Sequence, residues 1–161
     1  FFLGSSIGNF YNKEEIKFLK KLRKSISKNN YLFIGVDLIK NKTTLDKAYN
    51  DKKGYTAKFS LNLINIINRT QKTNLNINNF YYHGYYSTKL RCIHGFLVSK
   101  INQNFKIGNK KFFLKKSERI LVEISNKFTI QSFTKLASNT GWTTERVWLD
   151  NQKYYSLFLL K

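Results

Sequence analysis

The amino-acid sequence predicts an α/β fold that carries an inserted antiparallel, β-rich region. Its first segments follow the order strand end, loop, helix and strand, which is typical of a parallel sheet. From residue 80 onward, short alternating segments indicate antiparallel strands, and the last two of them predict a hairpin. The 161 residues, 42% of them hydrophobic, are enough for one domain with a buried core.

The first third of the chain predicts the opening of the sheet. Residues 1–3 are apolar, as at the end of a buried strand, and the loop GSSIGN follows at residues 4–9. A helix is predicted over residues 14–26, which begin with two acids that favour a helix start. Its apolar positions at helical spacing are Ile16, Leu19, Leu22 and Ile26. The run YLFIGVD at residues 31–37 is typical of a strand that is covered on both faces.

The next segment predicts two helices. Residues 43–70 contain a short helical pattern, a turn at residues 51–54 and a longer helical pattern. In the longer helix, the residues expected to face inward are Phe59, Leu63, Ile66 and Ile67.

The remaining segments predict strands and one more helix. FYYHGYYS, RCIHGFLVSK, NFKI, KKFFLKK and RILVEIS are short, alternating and joined by turns such as GNKK, so we expect an antiparallel inserted sheet. A helix is predicted over residues 129–138 and ends near Gly141. WTTERVWLD, the turn NQK and YYSLFLL then predict a terminal β-hairpin.

Composition limits the function classes. The formal net charge is +20, but the excess is almost all lysine spread beside Asn and Ile, as codon bias in an AT-rich genome produces, so nucleic-acid binding is not favoured. The sequence has no apolar run near the ~20 residues that span a bilayer, and we expect a cytoplasmic monomer without membrane contact. Cys92 is the single cysteine, which excludes an internal disulfide and a thiolate metal site. The chain lacks methionine, so we expect it to be the C-terminal part of a longer protein.

The loop at residues 4–9 is the first candidate site. Gly4 and Gly8 let the backbone approach a ligand, and Asn9 can both donate and accept hydrogen bonds, which suits an amino-acid head group. An ordinary strand-to-helix turn with Asn9 near the helix cap explains the pattern equally well. The spacing matches neither a P-loop nor a dinucleotide fingerprint.

The segment RILVEIS is the second candidate site. On a strand, Glu123 and Ser125 lie on the same face, where a carboxylate and a hydroxyl can bind both nitrogens of an imidazole. The alternative is a solvated face on which Glu123 pairs with a lysine. Tyr49 lies between a helix and a turn, where its hydroxyl can face a cleft, whereas His83 and His94 lack metal-ligand spacing and are interpreted as structural.

A parallel sheet that finishes in an antiparallel hairpin is how class I S-adenosylmethionine methyltransferases end. GSSIGNF, GVDLIK, AYNDKKGYTAKFSLNLINIINR and EISNKFT, in this order, closely resemble the histidine-specific methyltransferases, the L-histidine N-alpha-methyltransferases of ergothioneine biosynthesis. The resemblance covers essentially the whole chain. It implies a Rossmann-like core at residues 1–50 and 126–161 and an inserted substrate-binding region at residues 51–125.

The resemblance also implies roles for individual residues. Its substrate-binding positions correspond to Gly4, Asn9, Tyr49, Thr56, Phe59, Glu123 and Ser125. Asn9 and Tyr49 are expected to orient the α-amine of histidine, and Glu123 and Ser125 to recognise the imidazole. Ser5 and Ser6 are expected to contact the cofactor, S-adenosylmethionine. The implied reaction transfers methyl groups to the α-nitrogen of histidine and gives trimethylhistidine (hercynine).

The sequence departs from the family pattern at several positions. Gly95 stands where methionine is common, which is expected to loosen one wall of the imidazole pocket; Ser60 replaces an asparagine and Leu3 a proline. The family's glycine-rich cofactor loop, acidic ribose contact and N-terminal tyrosines all precede the matching segments, so we expect these 161 residues alone to be inactive. Two alternatives are an inactive or split methyltransferase remnant, and a basic protein that stacks single-stranded nucleic acid on aromatic residues 80–86.

Overall fold

The computed structural model describes residues 1–27 and 29–161. Its helices are α1 (Glu14–Ser25), α2 (Lys42–Tyr49), α3 (Tyr55–Gln71) and α4 (Ile130–Ser138), with 3₁₀ turns at Ser6–Asn9 and Ile77–Asn79. Its strands are β1 (Leu32–Asp37), β2 (Phe80–Ser87), β3 (Cys92–Ser99), β4 (Gln103–Ile107), β5 (Lys110–Leu114), β6 (Arg119–Asn126), β7 (Thr144–Leu149) and β8 (Tyr155–Leu160). None of the described helices is both long enough and apolar enough to cross a membrane.

The chain folds into two compact units. The first unit comprises Phe1–Asn41, Ser87–Cys92 and Ile124–Lys161, and the second comprises Lys42–Tyr86 and Ile93–Glu123. The predicted division at residues 50 and 125 into a core and a substrate-binding insert stays a prediction.

A three-stranded sheet forms the centre of the first unit. The strand order is β1-β8-β7, with β8 antiparallel to both neighbours, so the predicted terminal hairpin is confirmed. Phe2 bridges Ile34 of β1 in parallel, as the predicted strand order requires. The position of β8 between β1 and β7 is not visible in the sequence pattern, because β1 and β8 are far apart along the chain.

Two helices cover the core of the first unit. Leu19 of α1 and Phe133 of α4 are fully buried with the apolar residues of the sheet. The indole nitrogen of the buried Trp142 donates to the Leu19 carbonyl over 3.1 Å, so this large ring has a polar partner within the core. Thr129 and Ser132 form a capping box that starts α4.

The second unit packs α3 against strands. Its core consists of Ile64, Leu75, Phe80, Leu97 and Leu114. The predicted antiparallel insert is present, but as a sheet with the order β2-β3-β6 and a separate β4-β5 hairpin rather than as one sheet. Ser99 at the end of β3 exchanges backbone hydrogen bonds with Ser117 and Glu118, which brings the chain back to β3 and leaves β4 and β5 outside this sheet.

The inward face of α3 differs from the predicted one. Phe59 is 78% exposed and Ile66 is 39% exposed, so the prediction that both face inward is wrong. The buried residues are instead Ser60 and Ile64, one helical turn apart. The small Ser60 side chain occupies the buried stripe, which rotates the larger Phe59 outward.

Candidate functional site

The loop at residues 4–9 is held in a defined conformation. Gly4 and Ser5 both have positive φ angles, 77° and 58°, and residues Ser6–Asn9 form a 3₁₀ turn. The Ser5 hydroxyl accepts a hydrogen bond from the backbone N–H of Asp37 over 2.8 Å, which joins the loop to the carboxyl end of β1. Asn9 is exposed and ends the 3₁₀ turn. The N-cap position of α1 is Lys13, whose side chain makes no capping hydrogen bond, so Asn9 does not cap α1.

Asn126 fixes the other side of this loop. Its side-chain amide donates to the carbonyls of Gly8 and Phe10 over 3.0 and 2.9 Å. A Cβ atom at Gly8 would lie 2.7 Å from the Asn126 carbonyl oxygen, so only glycine permits this close approach. The loop is therefore attached to the end of β6 by both side-chain and backbone packing.

A buried lysine connects Ser125 to the end of β1. The Lys127 ammonium donates to the Ser125 hydroxyl over 2.8 Å and lies 2.6 Å from Oδ2 of Asp37. The side chain of Lys127 is 1% exposed, so its charge needs this carboxylate. Lys40 also forms an ion pair with Asp37. The first unit thus links Ser5 and Ser125 through Asp37 and Lys127.

In the second unit, Glu123 has a phenol as a partner. The Tyr82 hydroxyl lies 3.3 Å from Oε2 of Glu123 and donates to it. Burial, the negative charge of Glu123, their hydrogen bond and the nearby Tyr49 raise the pKa of Tyr82. Tyr82 therefore remains a protonated donor. Tyr49, the last residue of α2, is half-buried and packs against a small cluster that contains Leu45.

Gly95 lies beside this tyrosine and glutamate. A Cβ atom at Gly95 would meet the Tyr82 hydroxyl at 2.9 Å and Cβ of Glu123 at 3.0 Å. The Tyr82 side chain fills the space next to Gly95, and the effect of Gly95 on the imidazole pocket stays a prediction.

Thr56 and Phe59 begin α3. The Asp51 carboxylate accepts hydrogen bonds from the backbone N–H groups of Thr56 and Tyr55, over 2.9 and 2.8 Å. These bonds, the Thr56 bond foremost, hold the pKa of Asp51 below its usual value. Thr56 is half-buried, whereas Phe59 points to the exposed side of α3.

The predicted site residues are divided between the two units. Gly4, Ser5, Ser6, Asn9 and Ser125 belong to the first unit; Tyr49, Thr56, Phe59 and Glu123 belong to the second. The structure connects Ser5 with Ser125 in the first unit. In the second unit, Tyr49 and Glu123 both lie near Tyr82.

Sequence reasoning missed three supporting side chains. Lys127 follows Glu123 and Ser125 at alternate positions, so the strand period already places it on the same side of the chain. Tyr82 precedes Gly84 by two residues, and a large side chain next to glycine on one strand face was a usable signal. Asn126 left no comparable signal, because its partners Gly8 and Phe10 are more than 110 residues away in sequence.

The loop residues fit a cofactor at the end of β1. A Cβ at Gly4 would find only Ser6 Oγ, at 3.9 Å, so the backbone there is open to a ligand. Ser6 is exposed, and the Ser5 hydroxyl keeps its own O–H as a donor while its oxygen accepts from Asp37. This set can bind polar groups of a small molecule.

The two histidines lie in an aromatic ladder on β2 and β3. Tyr85 stacks with His94 and Phe96, with ring centroids 5.6 and 6.1 Å apart, and His83 lies 5.9 Å from Tyr85. The guanidinium of Arg119 lies 5.9 Å from the centroid of Phe96. In the part of the chain that the structure describes, no cluster of three or more His, Cys, Asp or Glu side chains is placed to hold a metal ion.

The fold is mixed α/β, with one sheet that includes the terminal hairpin and a separate β-rich region. The model of a family described as histidine-specific methyltransferase, SAM-dependent, matches residues 1–161, and the chain belongs to this family. The resemblance drawn from the sequence is thereby confirmed.

Similar proteins include two methyltransferases with different substrates in their names. The chain is 28% identical over 160 residues to a histidine N-alpha-methyltransferase of Mycobacterium tuberculosis, covering 98% of this chain and 50% of that protein. It is 26% identical over 168 residues to an L-tryptophan methyltransferase of Psilocybe serbica, covering 99% of this chain and 46% of that protein. The chain thus spans about half the length of these relatives.

One solved structure is also similar in part. A S-adenosylmethionine-dependent methyltransferase from Clostridium acetobutylicum superposes with a TM-score of 0.48 at 8% identity, covering 99% of this chain and 55% of that one.

Proposed function

We propose that the protein transfers methyl groups from S-adenosylmethionine to the α-amino nitrogen of L-histidine and forms trimethylhistidine (hercynine). The observation that carries this proposal is the pair Glu123 and Ser125 at alternate positions of β6, each with its own hydrogen-bond donor. Tyr82 donates to Glu123, and Lys127 donates to Ser125. Family membership supports the same activity.

Glu123 and Ser125 suit the two nitrogens of a neutral imidazole. One imidazole nitrogen carries a hydrogen and the other accepts one. The Glu123 carboxylate accepts from the N–H. The Ser125 oxygen accepts from the Lys127 ammonium, so its own O–H donates to the second nitrogen. Histidine is thereby distinguished from amino acids without paired ring nitrogens.

Asn9 and Tyr49 are proposed to hold the amino-acid end. Asn9 is exposed at the end of the 3₁₀ turn, and its amide can bind the α-carboxylate or the α-amine. The Tyr49 hydroxyl orients the amine lone pair, so the catalysis consists mainly of positioning a deprotonated amine. Gly4, Ser5 and Ser6 are proposed to bind the cofactor, which supplies a methyl group on a positively charged sulfur when bound. Thr56 and Phe59 complete the substrate pocket in this proposal.

Calorimetric titration of histidine into the complete protein, with S-adenosylhomocysteine present, tests the proposal. Saturable binding is expected, and Glu123→Ala is expected to weaken it at least tenfold while the affinity for S-adenosylhomocysteine stays unchanged. Glu145→Ala is the matched control, because Glu145 is an exposed acid of β7. If the folded protein binds no histidine, the substrate assignment is wrong.

Because one similar protein is an L-tryptophan methyltransferase, the same titration also tests tryptophan as the substrate. L-tryptophan replaces histidine in the calorimeter, and its indole has one N–H but no acceptor nitrogen. We expect the chain to prefer histidine, because the imidazole offers the Ser125 hydroxyl an acceptor nitrogen and the indole does not. Tighter binding of tryptophan would assign an indole substrate instead.

The aromatic ladder supports a second candidate function. Tyr85, His94 and Phe96 are stacked on one sheet of a strongly basic chain, as in proteins that stack single-stranded bases. Salt-sensitive oligonucleotide binding that histidine leaves unchanged and Tyr85→Ala abolishes would favour this function.

A third candidate, an inactive or split remnant, predicts no methyl transfer by the complete protein.

We also propose that the 161 residues alone do not catalyse methyl transfer to histidine. Their expected inactivity rests on the family's cofactor-binding elements, which precede the matching segments. Methyl transfer to histidine by the isolated 161-residue chain would contradict it, and the complete protein is the positive control.

A further inference from the structure

Two glycines form a slot for the ring of Tyr82 in the second unit. A Cβ at Gly84 would lie 2.7 Å from the Tyr82 hydroxyl, and a Cβ at Gly95 would lie 2.9 Å from it and 3.0 Å from Cε2. The contacts with the hydroxyl, at 2.7 and 2.9 Å, are too short for a real side chain. Tyr82 can therefore occupy this position only because both neighbours lack a side chain.

The slot directs the phenol toward Glu123. The hydroxyl reaches Oε2 of Glu123 at 3.3 Å, from a side chain that is half-buried. A carboxylate has two oxygens with several acceptor positions, and the bond from Tyr82 occupies one of these positions. The bond favours the carboxylate orientation in which Oε2 faces the Tyr82 hydroxyl, and at 3.3 Å it is longer than a typical hydroxyl–carboxylate bond.

We propose that Tyr82, seated between Gly84 and Gly95, is a positioning residue that fixes the Glu123 carboxylate for recognition of the substrate imidazole. This inference rests on the proposed histidine methyltransferase function. A glutamate side chain without a partner loses rotational freedom when it binds a ligand. The bond from Tyr82 already restricts Glu123 in the unbound protein, so less freedom is lost on binding. The imidazole then meets a carboxylate that is already oriented.

Gly95 leaves the space that the Tyr82 ring occupies. A methionine side chain at position 95 would occupy the space of the Tyr82 ring, since even a Cβ comes within 3.0 Å of it. Tyr82 and Gly95 therefore act as a pair. Gly95→Ala is expected to displace the phenol from Glu123 and to reproduce part of the loss caused by Tyr82→Phe.

The test uses the complete protein with Tyr82→Phe, which keeps the ring and removes the donor. Tyr81→Phe is the matched control, because Tyr81 is its exposed neighbour on β2. Histidine is titrated calorimetrically with S-adenosylhomocysteine present. We expect Tyr82→Phe to weaken histidine binding by up to about tenfold, because the Glu123 side chain must then be ordered when histidine binds. S-adenosylhomocysteine affinity and the Tyr81→Phe variant are expected to stay within about twofold of the unchanged protein.

A second readout separates positioning from a structural role. β-(2-Thienyl)alanine has a five-membered ring without nitrogen, and its affinity is measured by competition with histidine. Tyr82→Phe is expected to reduce the preference for histidine over this analogue about tenfold and to raise KM without lowering kcat. Equal weakening of both ligands would overturn the inference, because it indicates a general loss of packing.

The outcomes distinguish this inference from the proposed function. If the unchanged protein does not bind histidine, the proposed function fails and the inference fails with it. If the unchanged protein binds histidine and both Tyr82→Phe and Gly95→Ala bind it equally well, the proposed function stands and the role of Tyr82 is refuted. Non-additive losses in the double variant support the pairing of Tyr82 with Gly95.

Discussion

Lys127 and Asp37 form a buried ion pair in the first unit, with Nζ 2.6 Å from Oδ2 and the lysine side chain 1% exposed. The two residues come from distant parts of the sequence, the end of β1 and the residue that follows β6. The pair connects the backbone next to the Ser5 hydroxyl with the Ser125 hydroxyl. It therefore stabilises the fold and orients a predicted substrate contact at the same time.

Removal of the lysine charge should destabilise the first unit. Lys127→Met leaves Asp37 with Lys40 as its ionic partner and should lower the free energy of unfolding by about 3 kcal/mol. Urea unfolding followed by tryptophan fluorescence measures this, because Trp142 and Trp148 both belong to the first unit. Lys40→Met is the control and should cost less, because Lys40 is less buried than Lys127. A larger loss for Lys40→Met would contradict the dominant role of the buried pair.

The same lysine should act on histidine binding through Ser125. In a background that carries Ser125→Ala, Lys127→Met should cause no further loss of histidine affinity, whereas in the unchanged protein it should weaken binding several-fold. Calorimetric titration of the four variants gives this coupling. Additive losses would mean that Lys127 does not act through the Ser125 hydroxyl.

Asn126 should hold the loop of residues 4–9 in place. Asn126→Ala removes two donors and leaves the carbonyls of Gly8 and Phe10 without them, so it should lower the free energy of unfolding by about 2 kcal/mol. Because the loop carries Asn9, histidine affinity should fall as well. The free energy of unfolding and the histidine affinity are both compared with those of Asn139→Ala, because Asn139 is an exposed residue at the end of α4. Unchanged stability and affinity would show that the loop does not depend on Asn126.

Thr129 should affect stability alone. Thr129→Ala removes the capping box of α4 and should cost about 1 kcal/mol of unfolding free energy. Histidine affinity should stay the same, since Thr129 is not among the predicted substrate contacts. Ser138→Ala, in the last turn of the same helix, is the control for the urea measurement. A change in histidine affinity would imply that α4 is coupled to the substrate residues.

Asp51 should make the second unit sensitive to acid. Its pKa is held down in the folded state by the N–H groups of Thr56 and Tyr55. A depressed carboxyl pKa adds stability above the unfolded value of about 4, and this stability disappears as the pH falls through the lower folded value. Asp51→Asn should therefore lower the urea midpoint at pH 7, and the difference should shrink toward pH 3.

The helical circular dichroism signal reports on this effect, because α3 lies in the second unit. Glu145→Gln, on the exposed side of β7, serves as the control and should show no such pH-dependent difference. A difference between Asp51→Asn and the unchanged protein that is equal at both pH values would refute this assignment.

The sequence predicted the elements better than their partners. α1, α4 and the terminal hairpin were predicted with nearly correct bounds, because apolar spacing and turn residues are local signals. The central position of β8 was not predictable, since it depends on pairing with β1 across the chain. The predicted orientation of Phe59 is wrong because α3 carries apolar residues on more than one side, and hydrophobicity alone does not show which side packs inward.

The candidate site was predicted in the same uneven way. Glu123 and Ser125 were identified from strand alternation, which is a property of the local sequence. Their supporting partners had only weak sequence signals. Tyr82 lies two residues from a glycine on its strand, and Lys127 continues the alternation of Glu123 and Ser125 in a lysine-rich chain. The charge of Lys127 gave no hint of its burial, since 29 residues of the chain are lysine or arginine.

The pairing of β1 with β8 has a kinetic consequence. Val36 lies opposite Ser156, so the sheet of the first unit closes only when residues about 120 positions apart meet. Closing a flexible loop of this length has an entropic cost that grows only slowly with length, but contacts between distant residues still slow folding. The second unit lies between β1 and β8 in the sequence, so its early compaction would bring the two strands closer together and speed their pairing. We therefore expect the sheet that carries the loop of residues 4–9 to be the last part of the chain to form.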